Sequence, residues 1–309
     1  MRIFQHWQGL DPAARGASVA MGNFDGVHLG HRSVIDLARP HGPLGVITFE
    51  PHPREFFAPD APPFRLMNAE ARANRLRKLG VQHLFELPFD AGLSGLSPAE
   101  FVDQVLWQGL GVAHVVVGAD FCFGRGRKGQ VADLQGLCAA RGIGVTIAPL
   151  LQSDGAEISS TAIRAALSAG EPRAAARMLG HWHRIEGAVL HGEKRGRELG
   201  YPTANMGLSG LHLPRLGVYA VWADVLTGPQ AGTYRGAASL GVRPMFGTNT
   251  PNLETYLMDF KGDLYGQHLS IALVDFLRPE AKFDSLQALI DQMAQDVARA
   301  RRILADTPA

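Results

Sequence analysis

From the first residues to about Leu179, short apolar runs alternate with stretches whose apolar residues recur every three or four positions. "ASVAMG" precedes "HRSVIDLAR", "LGVITF" precedes "AEARANRLRKLG", and "VQHLFELPF" precedes "PAEFVDQVLWQGLG". "VAHVVVG" then precedes "VADLQGLCAARG", and "IGVTIAPLL" precedes "TAIRAALSAG". β-branched runs alternating with helical patterns predict repeated βα units around a buried parallel sheet, an open α/β fold. Beyond Leu179 the rhythm changes. "RIEGAVLHG", "GVYAVWADVL", "TYRGAASLGV", "LETYLMDF" and "LSIALVDFL" read as strands with Gly and Pro turns and no helices between them, which predicts a small antiparallel barrel or sandwich. One helix closes the chain. Its apolar residues Leu286, Leu289, Ile290, Met293 and Val297 share a 3.6-period face, with Asp284 as N-cap. The boundary falls near Gly180 to Arg184, giving domains 1–181 and 182–309.

Composition narrows the partners. A length of 309 residues suits two domains. Lys plus Arg (30) nearly balance Asp plus Glu (29), so there is no bulk basic field for nucleic acid, and an anionic partner has to be met locally. Cys122 and Cys138 lack metal-ligand spacing and are too few to staple a secreted domain, so both are expected to be buried, inert thiols in a reducing compartment. "MRIFQHWQGL" holds no apolar core of signal-peptide length, and no other apolar run is long enough for a bilayer. A soluble, cytoplasmic protein is expected. There is no internal repeat or low-complexity tract.

Ligands of open α/β sheets sit at the carboxyl ends of the strands. "GNFDGVHLGH" falls there, directly after "SVAM", and opens a helix at about Leu29 that Pro40 helps to end. Gly22, Gly26 and Gly30 let backbone approach a ligand closely, and the N–H groups of a helix N-terminus attract phosphate. His28 and His31, three apart on the first turn, face the same way and could donate to phosphate oxygens as charge builds in a transition state. A structural histidine pair and a zinc site are the competing readings; zinc would need further ligands, and no H-E-x-x-H is present. Downstream, "ISSTAIRAAL" places Ser159, Ser160 and Thr161 before a helix bearing Arg164. These hydroxyls read either as helix caps or, with Arg164, as a phosphate clamp. "GRGRKG" is formally G-x-G-x-x-G, but it does not follow a strand directly and no acidic residue ends the next one. Arg125, Arg127 and Lys128 fit a basic loop near phosphates or a solvated surface loop. No Walker-type phosphate loop is present.

The densest signal of the second half is "HGEKRGRELGYPTANM". Gly192, Gly196 and Gly200, with Lys194 among them, make a mobile basic loop suited to covering phosphates. Thr203 and Asn205 offer oxygens of the hard type that Mg2+ prefers, though an ordinary polar turn reads the same way. Glu254 opens an otherwise apolar strand, as a solvent-facing residue or as a poised base.

Taken together, these stretches resemble a known family. "GNFDGVHLGH" followed by "ISSTAIR" is similar to the H-x-G-H nucleotidyltransferase superfamily. More narrowly, "TFEPHP", "LPFDAGLSGLSPAEFV" and "VVGADFCFGRGRKG" resemble, in order, the FAD synthetase module of bacterial bifunctional riboflavin kinase/FAD synthetases. "GRELGYPTAN", "GVYAV", "LGVRP", "LETYLMDF", "DLYG" and "FLRPEAKF" resemble the riboflavin kinase module of the same family. The resemblance implies a Rossmann-like nucleotidyltransferase domain followed by a small antiparallel β-barrel with a terminal helix. It implies phosphorylation of riboflavin to FMN by ATP, and adenylylation of FMN to FAD with release of pyrophosphate.

His28, His31 and Arg164 would then be catalytic in the first domain. Gly22, Phe24, Gly26, Gly30, Asp120, Ser159, Ser160 and Thr161, together with the glycine-rich loop of the second domain, would bind nucleotide or phosphate. Thr203 and Asn205 would help hold Mg2+ with ATP, Glu254 would take the proton from the ribityl hydroxyl, and Arg278 and Glu280 would lie near the flavin. The implied partners are riboflavin, FMN, FAD and ATP, with neither nucleic acid nor membrane, for a monomer or weak homo-oligomer. The chain departs from the family at Met245, where Thr is common after "GVRP", and at Ala162, where a basic residue often precedes "IR". Two other readings stay open: transfer of a nucleotide to a different phosphorylated acceptor, and a flavin-binding module without catalysis.

Overall fold

The computed structural model of the protein describes residues 1–153, 156–191, 200–245 and 248–309. Its contacts divide the chain into two compact units. The first comprises Met1–Pro62 and Arg72–Ile158, the second Pro63–Ala71 and Ser159–Ala309.

The first unit is built on six parallel strands: β1 (Arg2–Phe4), β2 (Ser18–Met21), β3 (Leu44–Glu50), β4 (His83–Pro88), β5 (His114–Gly118) and β6 (Gly144–Ala148). Their order is β1-β4-β3-β2-β5-β6. From β2 the chain builds outward through β3 and β4 on one side and through β5 and β6 on the other, so the order reverses between β2 and β5. A crevice opens outside the carboxyl ends of the strands at such a reversal. All four residues of β2 are buried, as the continuous apolar run requires for a central strand covered on both faces. Val19, Met21, Ile47, Phe85, Val115 and Val117 share a core with Val102 and Leu106. The latter two belong to the expected "PAEFVDQVLWQGLG" helix, which widens into a π-helix over Phe101–Leu110 and ends at left-handed Gly111. Arg15 donates to its terminal carbonyls on Trp107, Gln108 and Gly109 at 3.2, 3.0 and 2.7 Å, supplying partners that a helix end lacks. Cys138 is buried in this core, and burial pushes its thiol up to about 11; Cys122 is only half-buried, so the expected pair of buried thiols holds for Cys138 alone.

In the second unit the helices Ser160–Ala169 and Pro172–Leu179 pack Ile163, Leu167, Ala175 and Leu179 around Leu66. The first unit ends with a short antiparallel pair, β7 (Gln152–Ser153) and β8 (Ala156–Glu157). In the second unit six antiparallel strands follow the helices: β9 (His183–Ala188), β10 (Thr203–Gly207), β11 (Gly217–Val225), β12 (Gly232–Met245), β13 (Thr248–Leu257) and β14 (His268–Arg278). They lie in the order β10-β13-β12-β11-β14-β9, and the sheet curls until Leu190, just past β9, bridges Asn205 on β10. Its interior is filled by Ile185, Met206, Tyr219, Val221, Leu253 and Leu273. The "PTAN" run, open between polar turn and metal-side segment on sequence, is strand β10, paired along its whole length with β13.

Alternation along β11 sends Tyr219 and Val221 inward and Val218 and Ala220 outward, where Ala300 and Leu304 of the C-terminal helix (Leu286–Ala305) cover them. That helix begins on Ser285, whose side chain accepts from the Ala288 N–H at 3.1 Å, and not on Asp284. Of the expected apolar face, Leu289, Met293 and Val297 turn toward the barrel, and Leu286 does not. Leu286 is 61% exposed, and the residues it buries most are Asp296, Ala300 and Leu304. The helix bends its burial around a cavity, described below, that occupies its first half.

His183 is buried on β9, and burial first, then repulsion from His181 and His212, lowers its pKa to about 3. In the unfolded chain a histidine binds its proton near 6.5, so between that value and about 3 the unfolded state holds the extra proton. Stability from this group is therefore full above about pH 6.5 and falls as the pH drops below it, by on the order of 2–3 kcal/mol at about pH 4.5. Urea midpoints between pH 7 and 4.5 are expected to shift less in His183→Gln than in the wild type; equal slopes would contradict this.

Candidate functional site

The turn between β2 and the helix Leu29–Ala38 lies beside the strand-order reversal. Three of its residues have left-handed backbone: Phe24 (φ 52°), Gly26 (φ 86°) and Val27 (φ 43°). Glycine adopts this conformation without cost, but for Phe and β-branched Val it costs on the order of 1–3 kcal/mol each. Both side chains are fully buried, and their burial holds the backbone there. Phe24 thus lies beneath the site, its ring 5.2 Å from that of His31, and only its backbone is placed to meet a phosphate.

The turn delivers His28 as the N-cap of the helix, with Nδ1 accepting the His31 N–H at 3.3 Å. In a neutral ring whose Nδ1 accepts, the proton sits on Nε2, so that nitrogen is the donor. The two imidazoles stack, with centroids 3.6 Å apart and planes at 19°. Burial, and then the neighbouring His28, hold His31 well below its ordinary value of 6.5, so it carries no charge at neutral pH. Gly30 has a steric reason: a Cβ there would meet the His28 ring at 3.1 Å. Gly22 follows β2 directly and donates its N–H to Ile47.

At the end of β5, beside β2, Asp120 is exposed on the same edge of the sheet. "GRGRKG" is a tight loop closed by reciprocal bonds between Phe123 and Gly129, with Arg125, Arg127 and Lys128 exposed on it. The helix that follows, Val131–Ala139, has the Gln130 N–H occupied by the Asp133 carboxylate at 2.9 Å. An acidic residue in the first turn disfavours a phosphate there, so this loop is not a dinucleotide fingerprint. Among the described residues no group of three His, Cys, Asp or Glu side chains could hold a metal ion.

In the second unit Ser159 caps its helix, accepting the Ala162 N–H at 3.2 Å. Ser160 is half-buried and Thr161 exposed on the same first turn. Arg164 donates to the Phe64 carbonyl at 3.3 Å and to the Thr161 hydroxyl at 3.4 Å, over the face of Phe64 at 5.7 Å. The capping reading is met by Ser159, and Arg164 is tied to the same first turn through Thr161.

The barrel carries a cavity of about 340 Å³ on its outer face, under the first half of the C-terminal helix. Leu289, Met293 and Val297 form its apolar roof, while Thr203, Glu254, Arg278 and Glu280 stand around it. Four residues singled out on three stretches of sequence thus line one cavity. Register explains it: on β10 and β13, Asn205 lies opposite Glu254 and Thr203 opposite Tyr256, all on the face away from the core residues Ala204, Met206 and Leu253. Gly200 precedes this strand with left-handed backbone (φ 82°), whereas Gly192, Lys194 and Gly196 lie outside the described residues.

Two residues, Asp296 in the cavity lining and Asn252 beside Glu254 on its strand, were not singled out on sequence. Asn252 donates to Asn205 Oδ1 at 2.9 Å and to Glu254 Oε1 at 3.3 Å. Its signal was the spacing of two from Glu254, which puts both on one strand face. Asp296, buried in the helix, receives Arg278 Nε at 2.9 Å and Nη2 at 2.8 Å, while Nη1 donates to the Pro279 carbonyl at 3.0 Å. With its edges engaged, the Arg278 guanidinium presents a face, and the Phe283 ring lies 5.7 Å from it. A carboxylate on an otherwise apolar helical period was the only trace of this pairing in the sequence.

Comparison with known proteins accounts for both halves. Residues 10–162 match the family model for FAD synthetase and residues 179–304 that for riboflavin kinase. The bifunctional riboflavin kinase/FMN adenylyltransferase of Pseudomonas fluorescens is 41% identical over 99% of this chain and 98% of its own. The proteins of the same name from Escherichia coli K12 and Bacillus subtilis are each 37% identical, covering 97% and 92% of this chain and 97% and 91% of their own. Among solved structures, a Streptococcus pneumoniae chain described as a macrolide-efflux protein superposes with a TM-score of 0.82 at 30% identity, over 97% of this chain and 98% of that one. No helix among the described residues here is long and apolar enough to cross a membrane. With both halves matched in order and full-length relatives at this identity, the chain belongs to the bifunctional riboflavin kinase/FMN adenylyltransferase family and is an enzyme of flavin cofactor biosynthesis with both activities.

Proposed function

We propose that the barrel cavity is where riboflavin is phosphorylated and that the histidine turn of the first unit is where FMN is adenylylated. The observation that carries the first assignment is the placing of Glu254 opposite Asn205, at the wall of a cavity roofed by apolar side chains. The apolar roof and the Arg278 face suit the flat isoalloxazine ring, with Glu280 at the rim. Glu254 takes the proton of the terminal ribityl hydroxyl as that oxygen attacks the γ-phosphorus of ATP; the bond to ADP breaks and FMN forms. Thr203 and Asn205 fit Mg2+, because a hydroxyl and an amide oxygen are hard donors and the Asn205 amide directs its oxygen, not its NH2, toward Asn252. The metal would neutralise phosphate charge. The loop bearing Gly192, Lys194, Gly196 and Gly200 would cover the phosphates.

In the second reaction an FMN phosphate oxygen attacks the α-phosphorus of another ATP, and pyrophosphate leaves. The nucleophile is already ionised, so the protein has only to orient it and stabilise charge. His28, His31 and the backbone N–H groups of Gly22 to Gly30 serve that end, with Asp120 on the nucleotide; for the second unit, Arg164 is assigned as a phosphate-binding cation and the hydroxyls of Ser159, Ser160 and Thr161 as nucleotide ligands. Domain boundaries at 1–181 and 182–309, a cytoplasmic location, a monomer or weak homo-oligomer, and the absence of a nucleic-acid partner complete this reading; the balanced charge of the chain supports the last.

Chromatography of the flavins made from riboflavin, or from supplied FMN, separates the two assignments. His28→Ala is expected to slow FAD formation from FMN by about 100-fold or more and leave FMN formation intact. Glu254→Ala is expected to slow FMN formation by about 100-fold to 10,000-fold while FAD formation from supplied FMN survives. Equal loss of both activities in either variant would overturn the two-site assignment.

The histidine pair makes a separate prediction. Because burial lowers the His31 pKa, that ring is expected to stay neutral as the pH falls through 6.5. Long-range 1H–15N NMR at about pH 6 reads its state. A doubly protonated His31 there would contradict the assignment.

A further inference from the structure

Asn252 and Glu254 are two residues apart on β13 and so share a face, with Asn205 directly across on β10. Asn252 is buried, 7% exposed, and its single Nδ2 reaches Asn205 Oδ1 at 2.9 Å and Glu254 Oε1 at 3.3 Å. A primary amide nitrogen carries two hydrogens and no acceptor. Both are committed here, one to each neighbour. The Asn205 amide is oriented from its other end as well, its Nδ2 donating to the Thr203 carbonyl at 3.4 Å.

We propose that Asn252 is a positioning residue for riboflavin phosphorylation, setting the Asn205 amide and the Glu254 carboxylate together as one unit. The inference rests on the assignment of Glu254 as proton acceptor and of Asn205 as an oxygen donor toward the magnesium nucleotide. Its two bonds act differently. Against Asn205, the donor selects which end of a nearly symmetric amide faces it: only the oxygen can accept. A flipped amide would turn N–H groups toward a cation and repel it, whereas the oriented oxygen keeps a second lone pair for one. Against Glu254, the bond to Oε1 fixes the plane of the carboxylate, and that plane decides where the other oxygen meets the ribityl hydroxyl. A misdirected base costs rate because proton transfer depends on hydrogen-bond geometry. No other residue on this strand face has a donor nitrogen shared between these two groups among the described contacts.

Asn252→Leu keeps most of the volume and removes both donors; Asn252→Asp keeps the shape and replaces the donor by a carboxylate that repels Glu254. With the full-length protein, Asn252→Leu is expected to lower kcat for FMN formation at least about 10-fold with the KM for riboflavin within about twofold. Calorimetry with ADP is expected to show binding weakened about fivefold in the presence of Mg2+ and unchanged in its absence, a readout independent of turnover. FAD formation from supplied FMN is expected to be unaffected. Asn252→Asp is expected to lose more kcat than Asn252→Leu, and it carries the test alone if the leucine variant does not fold.

A kcat within about twofold of the wild type, ADP binding weakened equally with and without Mg2+, or an Asp variant no worse than the Leu variant would each overturn the proposal. Glu254→Gln, measured alongside, separates its failure from that of the underlying assignment. Full phosphorylation in Glu254→Gln would overturn the base assignment and this inference with it. An inactive Glu254→Gln beside an active Asn252→Leu would overturn this inference alone.

Discussion

The register of β13 against β10 and β12 is the constraint on which the proposed kinase site depends. Leu253 and Leu257 fill the barrel, and Asn252, Glu254 and Tyr256 take the opposite face because side chains alternate along a strand. A slip of one residue would drive the Glu254 carboxylate into the apolar interior and expose Leu253. Burying an unpaired carboxylate costs several kcal/mol, so the hydrophobic core enforces the geometry of the polar face. The same logic covers the C-terminal helix. Ala300 and Leu304 seal its second half onto Val218 and Ala220, and that anchorage holds the first half off the sheet as a roof.

The first unit reaches precision by another route. Its central strand is buried, and the chain must leave that strand at the point where the sheet order reverses. The turn there holds Phe24 and Val27 in left-handed conformations that neither prefers, and their buried side chains oppose relaxation. The stored strain puts His28 at the helix start with Nδ1 tied to the next turn, so the orientation of one ring nitrogen fixes that of the other. Gly30 leaves the space that the ring requires.

Periodicity made both architectures legible, since buried parallel strands read as continuous β-branched runs and the barrel strands as alternating ones. Strand β10 was harder to read because "GYPTANMG" carries Gly and Pro at one end and polar residues on one face, with only Ala204 and Met206 to mark the other. The helix cap moved from Asp284 to Ser285 because adjacent residues of similar capping ability differ only in backbone conformation. Glu254 and Thr203 were legible as chemistry and Arg278 through the family resemblance, but their convergence on one cavity was not, being a consequence of strand order. Asn252 and Asp296 stayed hidden for a related reason. Each acts by bonding a residue distant in sequence, and composition around an asparagine or a helical aspartate carries no record of such a partner.

On the proposed assignment, the difference in side-chain chemistry between the two sites follows from their nucleophiles. An alcohol is a poor nucleophile until its proton has somewhere to go, so a kinase cavity calls for a carboxylate held in line with the attacking oxygen. A phosphate monoester is already an anion at neutral pH. A carboxylate aimed at it would raise the barrier by repulsion, so the adenylylation site is better furnished with N–H donors. Two charged imidazoles stacked 3.6 Å apart would repel each other, and burial removes that conflict by keeping His31 neutral. On the proposed assignment, neutral His31 adds no buried cation of its own to the site, and arginine, which stays protonated whatever its surroundings, supplies positive charge.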